Sequence, residues 1–506
     1  MKKKSIKLLG SLQSHLSYWF SILFVNWRLN KKTIIFAIVW IFFLYVSGIF
    51  LWGVFFDWNQ TPLNFLDWKG NMPRYDAVRD ALQYRMLPLH INCEKCLHSL
   101  TDRFFVLPDV ITTPQMIFLP FMELTSFFYL DLLLHYTVGV LGLIYLQNKF
   151  KLSLIAYSAL FFLFNFNGYI EAHLGAGHVT WNSYFLFPWF FILVFQLLEK
   201  QVNWLWVTKL AFLSLYVVLS GGQHHFTWMM LFLVMLALSQ KKLFKWIFSG
   251  VLFSGFLSAI RLLPPLIMVT TYTSGDHFKF LSGYSTISGF LSALVNIRPS
   301  TYGAEGLPYP IGYWELDYFV GILGAILIIY FGLVRWLQDQ NMQKKFSALL
   351  IPSAILFLFA QGNFYKYTFF SLPPFSSERV PTRMVSIPIT LLIIVGTVYF
   401  QKFLQSRDSK IVRLVAGFSL LYIVNELVTH TVVWKVDRIA PFWEKPIIDY
   451  SGNSIILRSD PSYIWVLWIG LAITLLTAFT LGFLVMQEQR KDIRLDETSS
   501  KTKAVL

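Results

Sequence analysis

Asp57, Asp67, Arg74, Asp76, Arg79 and Asp80 fall within a single stretch, Asp57 to Leu89, directly after an apolar run from Ile34 to Phe56. A carboxylate placed where a membrane helix surfaces can act as general base on an acceptor hydroxyl, or hold a divalent cation against a phosphate or diphosphate. Burial beside lipid would raise its pKa toward a working value. Asp57, Asp67 and Asp76 are therefore the candidate catalytic carboxylates. Arg74, on the same short helix, is a candidate phosphate ligand.

Further polar constellations punctuate the chain. Asn167 to His178 sets Glu171, His173 and His178 among glycines, and Ser220 to His225 adds Gln223, His224 and His225. Glycines let backbone approach a ligand closely, and these side chains can hydrogen-bond a sugar or a phosphate; ionisable groups at membrane depth point to function by default. Tyr313 to Tyr318 carries Glu315 between aromatics, a pattern suited to stacking on a sugar face and accepting its hydroxyls. Pro373 to Arg383 brings Arg379 and Arg383 to the mouth of an apolar run, and guanidinium forks match phosphate oxygens. His90, Cys93, Cys96 and His98 crowd four soft donors into one segment. Zinc binding, a Cys93–Cys96 disulfide and free thiols are all open for this group.

The elements that must position these residues follow from composition. The chain has 506 residues, 56% of them hydrophobic and only 14% charged. Its mean hydropathy is +0.56. A soluble domain would carry charge at nearly a quarter of its positions, so an all-α polytopic membrane protein is expected. Apolar runs centred on 34–56, 125–147, 152–166, 183–198, 204–219, 226–239, 246–263, 318–334, 346–360, 385–400, 411–429 and 463–485 predict roughly twelve transmembrane helices.

The net charge of +15 is distributed as a topology signal. With a cytoplasmic N-terminus, the inside segments hold about 25 of the 42 Lys and Arg residues in short dense clusters. Both termini are then cytoplasmic, and no nucleic-acid partner is needed to explain the charge. Residues 1–32 form a basic amphipathic segment, 33–485 the transmembrane domain, and 486–506 a cytoplasmic tail. The long outer loops are 57–124, 271–317, 361–384 and 430–462. Most distinctive polar residues collect in outer segments, which places the active face outside a plasma membrane. Two cysteines exclude a disulfide framework, and no Walker loop, dinucleotide fingerprint or HExxH is present.

The order of these features resembles the GT-C class of integral-membrane glycosyltransferases. Met72-Pro-Arg-Tyr-Asp-Ala-Val-Arg-Asp-Ala-Leu through Leu87-Pro-Leu is similar to the first-loop helix of that class. Phe55-Phe-Asp-Trp58, Thr113-Pro-Gln115, Gly175-Ala-Gly-His178 and Phe375-Ser-Ser-Glu-Arg-Val-Pro-Thr-Arg383 resemble stretches of bacterial membrane proteins assigned to it. The resemblance runs from about residue 50 to 400. It departs at His90-Ile-Asn92, where such proteins more often show a Trp-Asn-Pro run. It implies transfer of a sugar from a polyprenyl-phosphate-linked donor in the lipid bilayer to an extracytoplasmic glycan, lipid or protein acceptor. Asp57 would take the place of the first-loop acid, with Asp67 or Asp76 assisting, and a divalent cation is the cofactor to consider. Arg379 and Arg383 fall on the arginines of the late loop. The rival expectations are a transporter or flippase of lipid-linked sugars, and a non-catalytic membrane assembly protein.

Overall fold

The computed structural model describes residues 22–24, 31–59, 63, 65–92, 101–268, 280–281, 283–297, 313–340, 346–372, 375, 378–407, 409–436 and 454–505. Most of the basic N-terminal segment lies outside them, as do Cys93, Cys96 and His98.

The described residues are about 81% helical. In chain order the main helices are α1 (Lys31–Phe55), α2 (Trp68–Gln83), α3 (Leu124–Phe150), α4 (Leu154–Asn165), α5 (Gly168–Ala176), α6 (Phe187–Leu198), α7 (Trp204–Leu219), α8 (Gln223–Ser239), α9 (Phe244–Leu257) and α10 (Ala259–Met268). They continue with α11 (Ile287–Val295), α12 (Gly321–Ile326), α13 (Leu350–Phe359), α14 (Ser386–Ser406), α15 (Lys410–Trp434) and α16 (Pro461–Val505). A π-helical segment, Leu327–Val334, prolongs α12. One two-stranded antiparallel pairing, Ile91 with Ile455 and Asn92 with Ser454, ties the first long loop to the last.

All twelve expected apolar segments are helical, but they are not equally long. Among the described residues, seven helices are long and apolar enough to cross a membrane, or eight if the bent pair at 241–268 counts as one span. The expectation of roughly twelve full spans is thus met in position and not in length. The 16 residues of α7 extend only about 24 Å, short of the roughly 30 Å hydrocarbon core. The run 246–263 breaks between α9 and α10 with a bend of 76°. A hydropathy window averages over such a break and cannot see it.

Burial sorts the helices into inner and outer. Every residue of α4 and α5 is buried: α4 is apolar nearly all round, whereas α5 buries Glu171 and His173 among its apolar residues. By contrast α1, α15 and α16 each bury only 17% of their most apolar window, and present Phe42, Phe43, Phe418, Leu421, Trp468 and Phe479 outward. An exposed apolar surface of that extent is what a bilayer covers.

Capping chemistry fixes where α5 begins and ends. The Asn167 side chain accepts from the Ile170 N–H and starts the helix. Gly177, at φ +99°, ends it in the left-handed region that glycine tolerates best. The start of α2 docks on that end: Asp67 N donates to Ala176 O at 3.0 Å, and Asn71 Nδ2 donates to Gly177 O at 2.7 Å. A Cβ on Gly177 would stand 2.4 Å from Trp68 N, so the absent side chain is what permits the approach.

Candidate functional site

The docking of α2 on α5 brings Asp67 within 2.8 Å of His178, Oδ2 to Nε2. His178 Nδ1 lies 2.6 Å from His173 Nδ1, and the two rings stack with centroids 4.9 Å apart. On its far side, His173 Nε2 faces Glu315 Oε2 at 4.0 Å. Arg383 closes the row as a fork on Glu315: Nε donates to Oε2 at 2.7 Å, and the second guanidinium nitrogen bonds Oε1. Its guanidinium also lies over the Trp181 ring, 5.0 Å from the centroid. Trp181 in turn packs against both histidines. Four separate stretches of chain thus meet in one polar row at one end of the helical bundle.

A second arm continues beside it. Glu378 Oε2 accepts hydrogen bonds from His224 Nδ1 and Trp228 Nε1, each at 3.0 Å, while its Oε1 is buried with no partner among the described residues. Burial opposes the charge on Glu378, but His224 and Arg383 outweigh it and hold the carboxyl below its ordinary value. For His173, burial comes first, with His178 and Arg383 adding to it; the imidazole is pushed well below its usual range and is neutral at neutral pH. His173 Nε2 has no hydrogen-bond partner among the described residues. Burial also lowers Arg379, whose Nε is likewise without a partner there.

Beneath this row lies a fully buried buttress. Glu171 and Asp317 stand two residues from His173 and Glu315 respectively, and both reach His430 in α15. Thr431 donates to Glu171 Oε1, and Trp434 Nε1 donates to Asp317 Oδ2 at 3.0 Å. Gly168 N donates to Phe319 O at 2.8 Å, and a Cβ on Gly168 would strike Asp317 Oδ1. The segment holding Glu315 is thereby pinned flat against α5. Tyr318 completes the attachment by donating to the carbonyls of Thr382 and Arg383, at 2.9 and 3.2 Å.

The residues singled out by sequence divide accordingly. Asp67, His173, His178, Glu315 and Arg383 come together, with Arg379 alongside and Glu171 directly below. Asp57, at φ +50°, is instead paired with Lys435 at 3.0 Å. Asp76 is held by Arg79 at 2.6 Å, and burial raises its pKa against that pull. Arg74 is buried, and its nearest acid is Asp109 at 3.8 Å. The side-chain amide of Gln223 lies against the carbonyls of Gly221 and Pro108, a loop-fastening role. His225 is held on both nitrogens, by Ser183 and Tyr169. Of the soft-donor group, His90 is bound to Asp460 at 3.1 Å, and Cys93, Cys96 and His98 lie outside the described residues.

Trp181, Glu378 as the partner of His224, and His430 were not legible as site residues. An ionisable residue such as His430 at the end of an apolar run was the available signal. A separate buried network, in which Asp131 accepts from Gln115 and Asn182 while His135 meets Ser220, also sits within an apolar run. It fastens α3 to its neighbours.

An apolar cleft adjoins the polar row. It is narrow, with a cavity of only about 20 Å³, and is lined by Phe56, Trp68, Phe128, Leu132, Leu174 and Val179 among others. Trp68, Leu174 and Val179 are the chain neighbours of Asp67, His173 and His178. Comparison of the chain with protein-family models, with curated proteins and with solved structures finds no match in any of the three.

Proposed function

We propose that this chain is a membrane glycosyltransferase that moves a sugar from a polyprenyl-phosphate-linked donor to an acceptor on the extracytoplasmic face. The observation that carries the reading is the row of carboxylate, imidazole and guanidinium groups gathered at one end of a bundle whose outer helices present apolar surface. Such a pairing suits a ligand with an isoprenoid chain at one end and a phosphorylated sugar at the other.

In this reading the acceptor hydroxyl attacks the sugar's anomeric carbon, the bond from that carbon to the phosphate oxygen breaks, and the hydroxyl proton passes to a carboxylate. Asp67 is the better-placed base. It is 61% exposed, and its contact with His178 gives the proton an onward path. Asp57, the first-loop acid of the resemblance, is instead engaged by Lys435 and takes no part in the row. Arg379 and Arg383 meet the charge that develops on the leaving phosphate.

One observation favours transport of lipid-linked sugars instead: the bent α9–α10 pair, which carries the buried Arg261. That guanidinium, however, donates to the carbonyls of Phe105, Leu107 and Pro108. It fastens a loop and leaves little for a substrate. Labelled sugar transfer from polyprenyl-phosphate donors by the purified chain, with its Asp67→Asn form alongside, is the test. Donor consumption by the wild type alone supports the transferase; binding of the lipid by both with consumption by neither, whatever acceptor is offered, favours transport.

A further inference from the structure

We propose that His173, His178 and Glu315 bind one first-row divalent metal ion of the zinc type, with Asp67 as the carboxylate behind His178. Each of the three residues offers a ligand atom, and these atoms all lie within 4.8 Å of one another. Ions of this type take nitrogen and oxygen ligands at about 2.0–2.2 Å, so ligand atoms of one site stand roughly 3–4 Å apart. The 4.0 Å between His173 Nε2 and Glu315 Oε2 falls in that range.

Two features point to an ion and not merely to a polar core. First, His173 Nε2 is fully buried and aimed at Glu315 with no hydrogen-bond partner among the described residues, which is costly unless something occupies the gap. Second, Asp67 bonds His178 Nε2 and leaves Nδ1 turned inward toward His173. A metal-bound histidine almost always donates its other ring N–H to such a carboxylate, which fixes tautomer and ring orientation.

Arg383 occupies Glu315 on both oxygens, so the carboxylate is shared: Oε2 turns to the ion while Oε1 keeps the guanidinium. The two imidazoles select a borderline ion over magnesium, which prefers an octahedron of oxygens. Three protein ligands leave a position open, as in metal sites that take a substrate oxygen. Use of the ion in sugar transfer rests on the transferase reading; the site itself does not.

The test uses the full chain in detergent, stripped with chelator, then titrated with Zn²⁺ against a chromophoric competitor and with Co²⁺ by visible absorption. One tight equivalent is expected, undisturbed by millimolar Mg²⁺. His173→Gln and His178→Gln should each abolish it, and Asp67→Asn should weaken it roughly 10–100-fold. Because His173 is fully buried, the His178→Gln and Asp67→Asn forms, checked for an unchanged melting temperature, carry the decision. A doubly substituted Cys93→Ser, Cys96→Ser chain should keep the equivalent. Loss of binding in that chain, undiminished binding in His178→Gln, or no tight equivalent in the wild type would each overturn the site. Tight binding without donor consumption would sink the transferase reading alone, and chelator-insensitive transfer by a chain that binds no zinc would sink the metal site alone.

Discussion

Glu171 and His430 are 259 residues apart in sequence and 2.6 Å apart in the fold, and both are fully buried. The other nitrogen of His430 meets Asp317 at 3.1 Å, so a single imidazole clamps the two segments that carry His173 and Glu315. Removing it would leave two buried carboxylates facing each other. His430→Ala should therefore cost about 3–5 kcal/mol, the usual penalty for stranding a buried charge. The thermal midpoint of the chain in detergent measures this. His430→Gln, which can still donate to one carboxylate, should recover part of the loss; equal midpoints for wild type and both variants would show that the clamp is idle.

Gly177 controls how closely α2 approaches α5. Ala at this position would place a Cβ 2.4 Å from Trp68 N in a backbone conformation that side chains disfavour. Gly177→Ala should cost about 1 kcal/mol or more from the conformation alone, with a further loss as α2 is pushed away. Substrate turnover should fall more steeply than stability, because the displaced residue beside Trp68 is Asp67. Crosslinking between introduced cysteines at positions 67 and 178 would report the separation directly.

The two first-loop acids should behave differently. Asp67→Asn should lower transfer by about 10²–10⁴-fold, the range for loss of a general base, with little effect on folding since the side chain is largely exposed. Asp57→Asn removes the partner of Lys435 and should cost less than about tenfold in rate. Parallel kinetics on the two variants decide the assignment. The reverse ranking would return the role of base to Asp57.

Much of the architecture could be read from the chain because lipid imposes one rule: backbone polar groups must be satisfied within a helix or a closed barrel. Every apolar run from Ile34 onward is helical for that reason. What could not be read was which polar residues share a site. Glu315 and Arg383 each stood out in their own loop, yet their pairing depends on Tyr318 tethering one loop to the other, a tertiary fact. Asp57 stood out by position alone, and Lys435, its partner, looked like any loop lysine. Trp181 was invisible among 18 tryptophans until His173, His178 and Arg383 surrounded it.

Arg383 holds Glu315 with two nitrogens and stacks on Trp181, and lysine can reproduce neither the fork nor the planar stack. Arg383→Lys keeps the charge, so its cost in stability should stay near 1–2 kcal/mol. Arg383→Gln leaves Glu315 buried without a cation and should cost more. If Arg383 also meets the leaving phosphate, both variants should lose turnover far beyond their loss of stability, and donor affinity should fall with it. Turnover unchanged in Arg383→Lys would restrict the residue to holding Glu315.

At the far edge of the same end of the bundle, Asp460 caps the start of α16 and gathers Arg103 at 2.7 Å and His90 at 3.1 Å. Burial opposes its ionisation, but hydrogen bonds from Arg103, His90 and Ser462 outweigh burial and hold the carboxyl well below the usual carboxylate range. For an acid whose pKa is depressed on folding, the ionised form favours the folded state. Its contribution is complete above the ordinary value of 3.8 and is lost as pH falls below that toward the depressed value. Asp460→Asn should therefore destabilise the chain by about 1.5–3 kcal/mol at pH 7, the range for hydrogen bonds to a charged group. Melting midpoints of wild type and variant should converge when both are followed from pH 5 down to pH 2. Because the paired strands at Ile91 and Ile455 lie beside this knot, the variant should also loosen the first loop from the last, read as faster proteolysis between them. A gap between the two melting curves that stays constant to pH 2 would mean that Asp460 acts by packing and not by charge.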